Sequence, residues 1–413
     1  MSVLALIFAM VAAACNAGTG TQSGTEQKTE DTERETLVIC VESENFLYNT
    51  NFEEKLQEYV TLDCDIELRP LPEEGAERQA YCDRIRIELM SGGGPDLFIV
   101  GSMNMDDSIF PHVEKTMRAG YFLPLDDYIE NWENDLFEKQ VDVIMDASKT
   151  EEGQVVLPLV YRLPLYVVEQ NDVLDTQGPF TSWEALTAAA EQDAAIAAAL
   201  KRQCYDWFPM RFTRLGDYDA EKLTVTQEEM QTVLQQVKDL GKQESVYSEY
   251  LQYAAPGESI TLDEETTQEI NSSTGWSIYD GAMKELTGDE PRSVLTVYNT
   301  EGGLTAQILA FAVVNRNSYL PEEAVKAASV LYNDVFHDVD DGEYLGFGFG
   351  GVTTSEDDVY AEQLAPYLEQ VNAVRFYSEF DFSLFSAVGD VDEEDPAKIA
   401  EDLVTEMKMI MAE

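Results

Sequence analysis

Residues 36 to 100 alternate short apolar runs with stretches of helical period. Thr36–Val41 (TLVICV) reads as a buried strand, Phe52–Tyr59 (FEEKLQEY) as a helix and Cys64–Leu68 (CDIEL) as a second strand. Ala76–Met90 follows as a second helix, and Leu97–Val100 (LFIV) as a third strand. Strands separated by helices pair in parallel through right-handed crossovers, in a sheet covered on both faces. The fold class expected is therefore α/β. Between the second helix and the third strand stands Ser91-Gly92-Gly93-Gly94-Pro95-Asp96. Its glycines suit a helix C-cap, where φ is positive, and its proline stops the helix. It is not a phosphate loop, because it closes a helix and no Lys-Ser/Thr follows.

Charge excludes whole classes of partner. The chain of 413 residues has 26 Lys+Arg and 80 Asp+Glu, a net charge of 26 − 80 = −54. Such a surface repels phosphate backbones and anionic headgroups, so neither nucleic acid nor an electrostatically held membrane surface is an expected partner. With 44% hydrophobic and 10% aromatic residues the chain nevertheless has enough apolar material for sizeable cores. Only two histidines are present, His112 and His337, which leaves little for a His-built zinc site or a protease centre.

The N-terminus speaks to compartment. Ser2–Ala14 (SVLALIFAMVAAA) is continuously apolar but shorter than the ~20 residues a spanning helix needs, and it suits the core of a secretion signal. No Lys or Arg precedes it, and we expect a true start upstream. Ala12-Ala13-Ala14 before Cys15 resembles a bacterial lipobox, which implies a signal peptide over 1–14 and lipidation of Cys15. Residues 15–36 then have the Gly/Thr/Ser/Gln/Glu composition of a flexible tether. Of the other cysteines, Cys40, Cys64, Cys82 and Cys204, none shows metal-site spacing. Cys40 and Cys64 fall in neighbouring predicted strands, where a bridge and buried free thiols both stay open.

A series of landmarks then carries a family resemblance. The segment ELMSGGGPDLFIV resembles the hallmark of the bacterial extracellular solute-binding proteins, the sugar-type (family 1) receptors of ABC importers. Gly120–Tyr128 (GYFLPLDDY), Gln154–Pro158 (QVVLP) with Leu165–Leu174, and Phe180–Leu186 (FTSWEAL) resemble later segments in the family's order. So do Thr274-Gly275-Trp276, Gly302–Asn315, Pro321–Phe336 and Gly350–Thr353. Glu169-Gln170-Asn171-Asp172 departs from the usual Tyr-Asn-Lys-Asp. Locally, Thr181 with Glu184 reads as a capping box, and Asp395-Pro396 as the cap and first position of a last helix.

The resemblance implies a two-lobed, periplasmic-binding-protein-like (type II) fold with a ligand cleft between the lobes. Lobe one would be 37–157 plus 276–338, and lobe two 158–275 plus 339–413. It implies a lipid-anchored monomer on the outer face of the cytoplasmic membrane (Gram-positive type), with a small solute and importer permease subunits as partners, no cofactor and no catalysis. Loops beyond strand carboxyl ends are the candidate cleft walls: Glu44, Asn45 and Phe46 after the first strand, and Ser102 and Asn104 after the third. Tyr161 and Arg162 at the first crossing, Trp207 and Arg211 in lobe two, and Trp276 and Tyr279 at the second crossing complete the set. Aromatic faces stack on pyranose C–H faces while amide, carboxylate and guanidinium groups pair with hydroxyls, so a mono- or oligosaccharide is the expected ligand. Trp183 reads as a helix-start packing residue, and Trp132 as a surface or core residue.

Three other readings stay beside this one. The same fold could bind a uronate, peptide or polyamine, or serve as a surface protein without transport. A secreted glycosidase needs two carboxylates at a set separation, and 80 acids offer such pairs without specificity. The acidic runs Asp338–Glu343 and Asp390–Asp395 lack EF-hand spacing and read as solvated loops.

Overall fold

The computed structural model describes residues 35–43, 47, 51–72, 75–101, 108–130, 141–194, 196–197, 199–200, 204, 208–240, 276–277, 292–332 and 365–412, with the side chains of Val167, Glu169, Trp276 and Ser277 left aside. The expected signal, Cys15, the tether up to residue 34, Trp132, the run 338–343 and Gly350–Thr353 lie outside the described residues, and Thr36, counted in the tether, instead opens the first strand.

The predicted alternation is present. Strand β1 (Thr36–Val41), helix α1 (Phe52–Tyr59), β2 (Asp65–Pro70), α2 (Gly75–Met90) and β3 (Leu97–Gly101) follow in order, and β1 pairs in parallel with both β2 and β3. Alternate residues of β1 face opposite ways, the period-2 consequence of an extended chain. Leu37, Ile39 and Val41 pack with Phe52 and Leu56 of α1, whereas Cys40 packs with Cys82, Ile85 and Leu89 of α2. That two-sided burial is why the strand reads as an unbroken apolar run.

Helix α2 ends as its glycines predict, with φ +80° at Gly92 and +93° at Gly94. The turn is then pinned from elsewhere. Asp96 accepts the Val38 N–H at 2.9 Å and the Ser318 hydroxyl at 2.7 Å, while Asn315 Nδ2 donates to the carbonyls of Gly93 and Pro95. Gly-Pro-Asp is thus a joint between β1, β3 and the segment after residue 314. Of the cysteine alternatives, the structure has no bridge between Cys40 and Cys64, and all four described cysteines are buried. Cys40 lies opposite Arg69 rather than Cys64, and the two thiols belong to core clusters on opposite faces of the sheet.

Helix α3 (Val113–Arg118) leads through short helical turns to β4 (Leu157–Arg162) and β5 (Leu165–Glu169). Helix α4 (Asp172–Gln177) is capped by Asn171, whose Oδ1 accepts from Val173 and Leu174. Helix α5 (Trp183–Ala190) corrects one expectation: its N-cap is Ser182, whose Oγ accepts the Ala185 N–H at 3.2 Å, and not Thr181. Three residues beyond Ser182 stands Ala185, which carries no carboxylate, so the reciprocal bond of a capping box does not form. Helix α6 (Gln227–Asp239) does carry a full capping box, between Thr226 and Glu229.

Strands β6 (Arg292–Thr296) and β5 pair antiparallel, with Trp276–Ser277 on the other edge of β5. Strand β7 (Leu304–Val314) is buried along its entire length. Helix α7 (Pro321–Ser329) covers β7 and β1 on the α1 side. The chain ends with β8 (Val371–Phe376), α8 (Glu379–Gly389) and α9 (Pro396–Ala412). The last helix starts as expected, with Asp395 Oδ1 accepting from Ala397 at 3.0 Å. Helix α9 packs against α6 and α8.

Candidate functional site

Strand β7 organises the site because three strands use it at once. Along one edge its first half pairs with β8 in parallel (Ile308 opposite Phe376), and its second half pairs with β3 antiparallel (Ala310 opposite Gly101). Along the other edge runs β4, antiparallel, with Arg162 opposite Gln307 and Val160 opposite Ala310. Strands β1, β3 and β4 therefore run toward the middle of β7 from one direction and β8 from the other. Their carboxyl ends, Val41, Gly101, Arg162 and Phe376, converge there. Crevices beyond strand carboxyl ends are where open α/β sheets bind ligands.

A polar network lies at this convergence. Arg162 Nε donates to Gln307 Oε1 at 2.6 Å, and Gln307 Nε2 donates to Asp381 Oδ1 at 2.7 Å. Asp381 also accepts the Ser378 N–H at 2.9 Å, and it pairs with Arg375 Nη2 at 2.6 Å. The Arg162 guanidinium stands 5.4 Å from the centroid of the Tyr377 ring. Burial, with a contribution from Asp381, pushes the Tyr377 hydroxyl above the usual phenol range, so it stays a neutral donor at neutral pH. The other strand ends are tied similarly. Glu42 pairs with Arg78 and accepts the Gly101 N–H at 2.8 Å, joining the end of β1 to that of β3. Glu42 thus holds the scaffold.

Of the candidate residues, the structure brings Arg162 to the convergence. Tyr161, next to it, is 7% exposed and belongs to the core. Arg211 sits elsewhere: it is 2% exposed, stacks 4.1 Å over the Trp183 ring and donates to Gln236 at 2.9 Å. It serves as packing between α5 and α6, and Trp183 has the packing role expected of it. Glu44, Asn45, Phe46, Ser102, Asn104, Trp207 and Tyr279 lie outside the described residues, and Trp276 is described only as a backbone partner of Val167. Sequence reasoning missed Gln307, Arg375, Tyr377 and Asp381. Two signals were there: a carboxamide inside an apolar strand (LTAQILAFAVV), and Ser378-x-x-Asp381 before an apolar run. On α8, Phe382 and Phe385 are large aromatics left 46% and 47% exposed.

No protein-family model matches the chain, and no curated sequence matches it. Solved structures do. An extracellular solute-binding protein family 1 from Alicyclobacillus acidocaldarius aligns with a TM-score of 0.56 at 13% identity, over 93% of this chain and 100% of that one. A chitin oligosaccharide binding protein aligns with a TM-score of 0.54 at 14% identity, over 92% and 100%. An ABC transporter solute binding protein from Thermotoga lettingae, bound with alpha-D-tagatose, gives 0.52 at 16% identity, over 91% and 100%. The chain has the two-lobed fold of the solute-binding proteins. In that fold the ligand cleft lies between the lobes, and β7 is a strand whose two halves serve different neighbours.

A second concavity adjoins the strand-end convergence and shares Arg375, Phe376 and Ser378 with it. It measures about 1310 Å³ and is bounded by α3, the turn at 147–152, residues 213–219, β8 and the start of α8. None of the described candidates, Tyr161, Arg162 and Arg211, lines it. Among the described residues no group of His, Cys, Asp and Glu is arranged to hold a metal ion, and no helix is long and apolar enough to cross a membrane.

Proposed function

We propose that this chain is the extracellular substrate-binding component of an ABC importer, anchored by lipid at Cys15. It captures a mono- or oligosaccharide by closing two lobes, roughly 37–157 plus 276–338 and 158–275 plus 339–413, around the middle of β7. The closed form then delivers the ligand to permease subunits. A ligand that touches both lobes favours the closed state by its differential affinity for it.

The observation that carries this reading is the meeting of strand ends from opposite directions on one shared strand. The solved proteins of this fold support it through what their names say they bind, tagatose and a chitin oligosaccharide. The described residues support it chemically. Arg162, half-buried and oriented by the fully buried Gln307, offers a planar polar group suited to vicinal hydroxyls, and Phe382 and Phe385 of α8 offer exposed rings for sugar C–H faces. The role is binding without catalysis.

A thermal-shift panel followed by calorimetry tests the reading, using neutral sugars, uronates, polyamines and peptides. A neutral sugar is expected to raise the melting temperature by several degrees, as mass action requires of a ligand well above its Kd. If only a charged compound does so, the sugar assignment falls and the charged-ligand reading replaces it. Turnover of a chromogenic glycoside would overturn the assignment of binding alone.

A further inference from the structure

The concavity beside β8 has a charge balance unlike the rest of the chain. Its described lining holds five basic residues, Arg118, Lys149, Arg214, Arg316 and Arg375, against five acidic ones. That sums to 5 − 5 = 0, whereas the chain as a whole carries 26 − 80 = −54. The cations come from five segments far apart in sequence, which only the fold gathers.

Their existing partners leave much of their donor capacity uncommitted. Arg118 pairs with Asp219 and Arg316 with Glu152, each through one guanidinium nitrogen. Arg214 stands 3.8 Å from Asp217 and donates its Nε to the Gly216 carbonyl at 3.0 Å. At the back Arg375, only 5% exposed, gives Nη2 to Asp381 and to the Pro209 carbonyl. Its Nε has no hydrogen-bond partner. A buried donor left in this way is a standing cost that an acceptor would remove. Glu114, the acid facing Arg375, has its carboxyl raised by burial, against the opposing pull of Arg375, Arg214 and Arg118, which weakens internal neutralisation as pH falls.

We propose that this concavity is a second binding site, adjoining the strand-end convergence and sharing Arg375 with it, for a small oxyanion carrying carboxylate or phosphate groups. Arg375 recognises it at the back, and Arg214 and Arg316, 49% and 34% exposed, hold it at the mouth. The guanidinium fork matches either oxyanion through paired N–H bonds. The volume exceeds the ~300–1,000 Å³ typical of small-molecule pockets, so a compound of citrate size fits. Elsewhere the surface charge repels anions, which makes this concavity the favourable place for one to settle.

Thermal unfolding and calorimetry of the full chain test this with citrate and with inorganic phosphate, at constant ionic strength set by sodium chloride. At least one of the two is expected to raise the melting temperature by a few degrees above the chloride control. A response to citrate alone identifies a carboxylate site, and to phosphate alone a phosphate site. The double variant Arg214→Gln/Arg316→Gln should bind that anion at least about tenfold more weakly, since charge-assisted hydrogen bonds are lost. It should still respond to any sugar that stabilises the parent, so this proposal and the sugar-binding reading fail separately. No shift beyond chloride, or unchanged affinity in the double variant, overturns the site. Should the variant fold poorly, hydrogen exchange on the unmodified chain decides. Citrate or phosphate must protect 113–120 and 213–219, and absence of that protection overturns the proposal equally.

Discussion

Arg375 and Asp381 form a buried ion pair, 2.6 Å between Nη2 and Oδ1, with 6% and 0% of their side chains exposed. Because Asp381 also receives Gln307 and Ser378, one carboxylate ties β7, β8 and α8 together. Asp381→Asn keeps the shape but strands the Arg375 charge in the interior. Loss of about 3 kcal/mol or more of unfolding free energy is expected in urea titrations. A loss below ~1 kcal/mol would mean that the pair behaves like a solvent-exposed one.

Glu114 gives the chain a pH signature. Burial raises its carboxyl above the ordinary range, so between the unfolded and folded pKa values the folded chain holds a proton that the unfolded chain has released. This group's contribution therefore favours the fold at low pH and declines as pH rises through that window. Glu114→Gln, which cannot ionise, should be relatively more stable than the parent as pH climbs above the usual carboxylate range. Melting curves at stepped pH compare the two proteins, and a difference independent of pH would contradict the assignment.

At the start of α5, Ser182→Ala should cost about 1 kcal/mol, the usual value of an N-cap, while Thr181→Ala should be close to neutral. Chemical denaturation of both variants separates the two positions. The reverse order would restore Thr181 as the cap.

Phe382→Ala and Phe385→Ala should leave stability within about 0.5 kcal/mol of the parent if their exposed rings pack little. Each should nevertheless weaken sugar binding roughly tenfold, an effect of the size aromatic contacts supply. Calorimetric titration with the best neutral sugar from the panel reads the effect, and unchanged affinity in both variants removes these rings from the site.

Local sequence carried most of the scaffold. The β1, β3 and β7 runs are apolar because both faces are covered, and Gly92, Gly94 and Asp395 sit where helix ends need them. The network at the site was less legible, because Arg162, Gln307 and Asp381 come from three separate parts of the chain and meet only through the register of β7. Arg211 shows the converse: an arginine beside aromatics looks like a ligand contact, but its stacking on Trp183 depends on how α5 and α6 pack. For the Ser182 cap, Thr181 is equally suited by residue type. The choice falls to where Leu186 and Ala189 must point to reach the core.

Strand β7 also sets a timetable. The open edge of β3 has to wait for a partner more than two hundred residues downstream, and β8 comes later still. Closing loops of that length before any reward arrives makes for slow folding. A polypeptide that cannot finish its central sheet until nearly all of it exists stays threadable during that interval, the physical condition for passing through a narrow pore before taking shape.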